Sequence, residues 1–457
     1  MERLALEQLE VWNRDPRRKP LMIWGARQTG KTYLIKDIFA KRYYKENTIY
    51  IDCSEDYHFS EFCEAHPNVK EVLEYLELTH RRKIDSHILL IFDEAQDCLP
   101  IVTLMKYFCQ DYREIPVIVT GSMVRIKIKR NSQKRGVAEK KGFLFPVGKI
   151  DELTLYPMTF QEFIMNQNPM LYQKIRDSFQ AKQPLDHAYH MMAMDYVYRY
   201  LLVGGMPEAE QVYLETEDMM EVQKTISVLY DNYLADMELY QASPESIVRT
   251  RKIFNMLYAM LGRESKNFSA SMIEKNKRTR DMESPIDWLL LAGIAYRCQL
   301  VKEQITLPLK ETNESLFRLY MLDTGMIVWQ SRIDPVDFIS DSGRNTLSGA
   351  FFENYVADEL SAANIPLFYW KGKRSAEFEF IMQHGQSIVP IDAKKGKGVL
   401  NSWEKFKEHN SSRLAVKVSS NNYGYDKDGQ VLTIPFYDFF LFLELMKTKK
   451  LDDWLHS

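Results

Sequence analysis

"LMIWGARQTGKTYLIKDIF", residues 21–39, is the stretch whose reading decides the fold. Four apolar residues run into Gly25-Ala26-Arg27-Gln28-Thr29-Gly30-Lys31-Thr32, and an apolar pattern of helical period follows. Strand, loop and helix come in the order that a phosphate-binding loop of the form GxxxxGK[ST] requires. The glycines allow backbone angles that turn successive N–H groups inward. The helix N-terminus adds positive potential for phosphate oxygens. In this Walker A loop, Lys31 is expected to reach the β and γ phosphates of ATP, and the Thr32 hydroxyl to bind Mg2+.

A matching signal lies further along the chain. "HILLIFDEAQD", residues 87–97, is a buried strand that ends in two acids. An acid at such a strand tip is where a Walker B metal residue belongs, so Asp93 is expected on Mg2+ and Glu94 as the base that orients the attacking water. The next strand, "IPVIVTGS" (115–122), ends in Thr120 and Ser122, either of which can place a hydroxyl near the γ phosphate; a plain polar strand end is the alternative. Between Arg125 and Lys149 the chain then carries nine basic side chains to one acidic. Its start alternates like a strand, and Gly136 offers a turn. A solvated hairpin, a contact for nucleic acid phosphates, and donation of Arg125, Arg130 or Arg135 to a neighbouring subunit's nucleotide all remain open.

The bulk numbers set limits. At 457 residues the chain exceeds one core and divides into two to four domains. Sixty basic side chains against 63 acidic give a net charge of −3, so any nucleic acid contact must come from a local patch. Five cysteines without a CxxC pair read as reduced core residues, not a disulfide frame or zinc site. The charged, amphipathic opening MERLALEQLEVWNRD is unlike a secretory signal, and the apolar runs are too short to span a bilayer, so a cytoplasmic protein without membrane contact is expected.

Residues 189–240 have a helical pattern broken by "VGGMPEA", a sharp connection between helices that suits a lid or plain helical packing. Residues 246–300 look like three helices, with Ser269 as a cap and Lys275, Lys277, Arg278 and Arg280 near the second turn. This is a winged helix-turn-helix pattern, read as a docking unit with DNA binding as the alternative. Further on, Glu377-Phe378-Glu379-Phe380 and Ile388–Lys394 alternate on either side of His384-Gly385, a hairpin signal. Glu377 and Glu379 are expected to point one way, and Asp392 and Lys394 to share a face of the partner strand. Acids converging beside a lysine hold a metal, or they are the wet face of an ordinary hairpin.

With "WGARQTGKT", "LLIFDEAQ", "VTGS", "VGKIDELTLYPMTFQEF", "YLLVGGMPEA", "LYMLDTGM" and "GAFFENYVADEL" in this order, nearly the whole chain resembles one family. It is that of bacterial and archaeal AAA-type ATPases with a C-terminal domain of unknown function related to restriction endonucleases. The resemblance implies an α/β fold: an AAA-type P-loop core (1–166), a helical lid (167–244), a winged helix (245–310) and a restriction-endonuclease-like domain (311–457). Relatives usually carry Gly-Arg where Gly148-Lys149 stands. In the C-terminal domain the resemblance implies a nuclease-like site of Glu353, Glu379, Asp392 and Lys394. Relatives usually have Asp at the position of Glu379 and Glu at that of Asp392. Mg2+ demands near-ideal geometry, so the exchanged lengths favour a scaffold over an active nuclease.

Three functions follow as expectations. The first is an ATP-binding, Mg2+-dependent ATP-hydrolysing switch or motor coupled to a nuclease-like scaffold and to a protein partner. The second is an ATP-licensed, metal-dependent nuclease of a defence system, acting on nucleic acid. The third is a nucleotide-gated, protein-binding regulator with little turnover.

Overall fold

A computed structural model describes residues 1–133, 145–241, 243–340, 344, 347–373, 376–394, 400–448, 451 and 454. Its contacts divide the chain into two compact units. One comprises Arg3–Tyr156 with Leu291–Gly293; the other comprises Met1–Glu2, Pro157–Leu290 and Ile294–Ser457.

The first unit is built on five parallel strands, β1 (Leu21–Trp24), β2 (Thr48–Asp52), β3 (Leu89–Asp93), β4 (Val117–Thr120) and β5 (Asp151–Thr154), in the order β2-β3-β4-β1-β5. Helices cover both faces, which is why the central strands read as continuous apolar runs. The side chains still alternate. Met22, Trp24, Leu90, Phe92, Val117 and Val119 pack with helices Tyr57–Ala65, Val69–His80 and Leu99–Asp111. Leu21, Ile23, Leu89, Ile91 and Ile118 pack on the other face with helix Ala5–Arg14 and the phosphate-loop helix Tyr33–Ala40. Period-two alternation thus divides one sheet between two cores. Because β4 lies between β1 and β3, the ends of the Walker A, β4 and Walker B strands stand side by side.

The second unit begins with helices Phe160–Gln167, Pro169–Gln180, His187–Val203, Pro207–Thr216 and Met219–Tyr240. Gly204 and Gly205 make the sharp connection that the sequence indicates. The stretch expected as three helices is more finely broken, into Pro244–Asn255, Leu257–Leu261, Ala270–Ile273 and Glu283–Leu291. Ser269 precedes the third of these, but its hydroxyl pairs with that of Ser271 at 3.0 Å and caps no backbone N–H, contrary to expectation.

Strands β6 (Ala295–Leu300), β7 (Phe317–Met321), β8 (Phe368–Lys371) and β9 (Glu377–Phe378) form a sheet in the order β7-β6-β8-β9. β6 and β7, on either side of the expected boundary at residue 310, therefore share a sheet with strands beyond it. A second sheet, β10-β11-β12-β14-β13, contains β10 (Phe380–His384), β11 (Ser387–Lys394), β12 (Ala415–Ser419), β13 (Gly424–Asp426) and β14 (Val431–Pro435). β10 and β11 are the antiparallel hairpin of the sequence reading, turning at Gly385-Gln386. Among the described residues no helix is long and apolar enough to cross a membrane, and all five cysteines are free thiols.

Candidate functional site

The phosphate loop leaves β1 through Gly25, whose φ is +152°. A Cβ there would lie 2.3 Å from the carbonyl oxygen of Leu155, so glycine alone fits. The buried Thr29 hydroxyl donates to the Ala26 carbonyl at 3.0 Å and closes the loop on itself. Arg3, which no sequence signal marks, clamps it from outside. Its guanidinium donates to the carbonyls of Thr29 at 3.0 Å and Tyr156 at 2.8 Å. Lys31 Nζ donates to the carbonyls of Gly25 at 3.1 Å and Ala26 at 2.7 Å. Burial pushes the Lys31 ammonium down to about 8, although the charges of Glu94 and Asp93 pull it back up.

Thr32 Oγ1 donates to Asp93 Oδ2 at 2.6 Å, so the last residue of Walker A and the Walker B acid meet directly. Tyr50, on β2, donates to the same oxygen at 3.0 Å, and Asp93 Oδ1 accepts from the Glu94 N–H at 2.8 Å. Glu94 takes a left-handed backbone, φ +46°, which swings its side chain off the line of β3, and Gln96 Nε2 donates to its carboxylate. A hydroxyl and a carboxylate beside a phosphate loop match the donor set of Mg2+, which keeps waters and phosphate oxygens as its other ligands. Between the strands, the Thr120 hydroxyl donates to the Ile23 carbonyl at 3.1 Å and ties β4 to β1. That bond leaves Ser122, also buried, as the hydroxyl beyond the strand tip.

The start of the basic segment is a helix, Val124–Gln133, and not the expected strand. Val124 and Ile128 are one helical turn apart and pack in the same core, an arrangement that short alternation cannot be told from. Arg125 lies over the Trp24 ring at 4.5 Å, and Lys127 pairs with Asp97 at 2.6 Å, so both cations are engaged inside their own domain. Arg135 and Gly136 lie outside the described residues. Gly148-Lys149 forms a turn in which the Lys149 N–H donates to the Pro146 carbonyl at 3.0 Å.

A second cluster gathers in the other unit. The hairpin register, with Phe380 opposite Ile391, sets Glu379 beside Asp392. Glu353 joins them from helix Gly349–Ala362. Lys394 Nζ lies 3.1 Å from Asp392 Oδ1 and 3.6 Å from Glu379 Oε1. All four predicted residues are thus together, with a fifth that sequence spacing gave no reason to select. Lys266 donates to Glu353 Oε1 and lies 3.7 Å from Glu379 Oε1. Glu377 does not converge with Glu379. The strand bends at Glu379, and Glu377 pairs instead with the buried Arg318. Burial and the Glu379 charge push the Asp392 carboxyl up to about 9. The cluster does not fit a metal as it stands. Among the described residues no three His, Cys, Asp or Glu side chains are arranged to hold one, and two ammonium groups occupy the carboxylates.

Residues 17–164 match the family described as "AAA domain". Residues 194–337 and 348–437 match two families described only as domains of unknown function, DUF8612 and DUF4143. Two solved structures resemble parts of the chain. One is the Walker-type ATPase PABY2304 of Pyrococcus abyssi, at 16% identity and TM-score 0.43, covering 72% of this chain and 95% of that one. The other is the ORC2 protein of Aeropyrum pernix in ADPNP and ADP complexes, at 12% identity and TM-score 0.36, covering 75% and 91%. No curated protein matches the chain.

Proposed function

We propose that the protein is an ATP-binding, Mg2+-dependent ATP-hydrolysing switch whose C-terminal domain serves as a restriction-endonuclease-like binding scaffold. One observation carries the ATP half: Thr32 and Asp93 meet at 2.6 Å with Lys31 buried in the adjacent loop. Gly25–Thr32 would cradle the phosphates, with Lys31 against the β and γ groups and Ser122 at the γ end. Thr32 and Asp93 would hold Mg2+, which supplies charge neutralisation there, and Glu94 would take the proton of the attacking water.

The lysine-filled carboxylate cluster supports the scaffold reading over the nuclease. The inward engagement of Arg125 and Lys127 takes two of the segment's nine cations away from a nucleic acid contact. The helices of 244–291 followed by the antiparallel β6 and β7 support a winged-helix docking unit.

The test is phosphate release by the full chain. Lys31→Ala is expected to abolish tight ATP binding. Glu94→Gln is expected to keep Mg2+-ATP binding while hydrolysis falls by roughly 10²–10⁴-fold. Wild-type turnover in Glu94→Gln would move the base elsewhere. Absence of turnover in the wild type with ATP bound would favour the low-turnover regulator.

A further inference from the structure

The Walker B strand leaves into a single short turn, Ala95–Asp97. The turn is closed by the Asp97 N–H on the Glu94 carbonyl at 2.9 Å and the Cys98 N–H on the Ala95 carbonyl at 3.1 Å. With Glu94 at φ +46°, it brings Gln96 back against the residue two before it. Gln96 Nε2 donates to Glu94 Oε2, and Gln96 is buried, at 5% exposure. The amide can face only one way, because its reversal would set two acceptors against each other.

The other end of that amide has no partner. Gln96 Oε1 is buried and accepts no hydrogen bond among the described residues, which costs stability at a place where an apolar side chain would not. It lies against Gly121, between Thr120 and Ser122 at the tip of β4. A Cβ on Gly121 would stand 2.4 Å from this oxygen, 2.8 Å from Val124 Cγ2 and 3.0 Å from the Ala95 nitrogen. Gly121 is not among the glycines of positive φ, so space and not backbone angle calls for glycine there. Gln96 fills that space.

Glu94 also feels Lys31. Its charge acts on the buried ammonium more strongly than that of Asp93 does. A carboxylate drawn fully onto Lys31 would cancel the cation meant for phosphate and lose its own place beside the water. The Gln96 bond holds Glu94 Oε2 against that pull and leaves Oε1 for a water.

We propose that Gln96 is the positioning residue for ATP hydrolysis: its amide fixes the Glu94 carboxylate for the attacking water, in a slot kept open by the missing side chain of Gly121. The proposal rests on Glu94 as the base. It makes the tip of β4 set the base as well as carry the Ser122 hydroxyl.

The experiment measures kcat for phosphate release and Mg2+-ATP affinity by calorimetry in the full chain. Wild type, Gln96→Met, Gly121→Ala, Glu94→Gln and Glu94→Gln/Gln96→Met are compared, each checked for folding by its melting curve. Gln96→Met keeps the length and bulk of the side chain and removes the donor. It is expected to lower kcat by roughly 10–10²-fold through misplacement of the base. Its affinity for Mg2+-ATP is expected to stay within about twofold of wild type, a split that general damage to the fold does not give. Gly121→Ala displaces the far end of Gln96 and is expected to lower kcat in the same way; if it fails to fold, Gln96→Met carries the test. Glu94→Gln/Gln96→Met is expected to fall no further than Glu94→Gln, since the amide acts only through that carboxylate. Wild-type kcat in Gln96→Met or in folded Gly121→Ala, an equal loss of affinity, or an additive fall in the double variant overturns the proposal. A slow Glu94→Gln beside a fast Gln96→Met removes this proposal alone. Wild-type turnover in Glu94→Gln, or none in the wild type, removes the base assignment and this proposal with it.

Discussion

Lys31 sits where the spacing of GxxxxGK[ST] puts a lysine against phosphates, and no such spacing marks Arg3, Tyr50 or Lys266. Each of those three acts at a position set by tertiary approach, and no local pattern marks such a position. Lys31 also carries a consequence that spacing does not contain. Its ammonium, held down to about 8 by burial in the free protein, meets phosphate charge when ATP binds, and its affinity for a proton rises. Above about pH 8 binding must then take up a proton, so affinity falls as pH rises beyond that value. Calorimetry in buffers of different ionisation enthalpy reads the uptake directly. The expected result is near-zero uptake on Lys31 at pH 7, growing towards one proton at pH 9. A flat proton count across this range would mean that Lys31 is fully charged before ATP arrives.

Elements were legible where their period was long or their punctuation strong. "VGGMPEA" read correctly as a break because Gly-Gly followed by Pro has few other conformational uses. The helix from Val124 read wrongly because three alternating apolar residues fit a strand and a helix that buries two sides equally well. What the glycines of the break do emerges from packing. The Gly205 carbonyl accepts from the Met158 N–H at 2.6 Å, and its N–H donates to Asp323 Oδ2 at 2.6 Å. Tyr200 Oη donates to the Met158 carbonyl at 2.7 Å. A Cβ on Gly205 would sit 1.9 Å from that same carbonyl oxygen. The motifs "YPMTF", "YLLVGGMP" and "LDTGM" are therefore one junction, and its residues are spent on structure. Gly205→Ala is expected to destabilise this unit by roughly 3 kcal/mol or more, since backbone must move at a buried contact. Chemical denaturation measures it, with Gly262→Ala as the control, where a Cβ meets only the Tyr258 carbonyl at 3.5 Å. Equal midpoints for the two variants would show that the junction yields.

At the scale of the molecule, a net charge of −3 concealed where the charges lie. The unit containing residues 157–290 and 294–457 buries several acids that the proposed ATP chemistry does not use. Burial holds the Asp323 carboxyl up at about 6 and raises Asp358 and Asp438 well above their usual range. Glu359 is held at about 7 against its ordinary 4.5, chiefly by burial. Its Oε1 accepts the Phe160 N–H at 2.8 Å, with Glu162 pushing its pKa up and Lys447 pulling it down. Sequence could not reveal this, because an acid in "VADEL" reads as the polar side of a helix until tertiary packing covers it. A carboxyl with a raised folded-state pKa contributes stability that is complete below its unfolded value and is lost as pH rises through the folded one. For Glu359 the window is about pH 4.5 to 7, and the shift corresponds to ~3 kcal/mol by linkage. The melting transition of this unit is therefore expected to move down between pH 5 and pH 8. Glu359→Gln keeps an acceptor for Phe160 and cannot ionise, so it should remove the Glu359 share of that slope and raise the midpoint at pH 8, while Asp323, Asp358 and Asp438 keep theirs. With two compact units the melt must be resolved into its transitions, and only one should respond. If Glu359→Gln leaves the slope of that transition unchanged, Glu359 is not the acid that titrates there, and Asp323→Asn becomes the variant to compare.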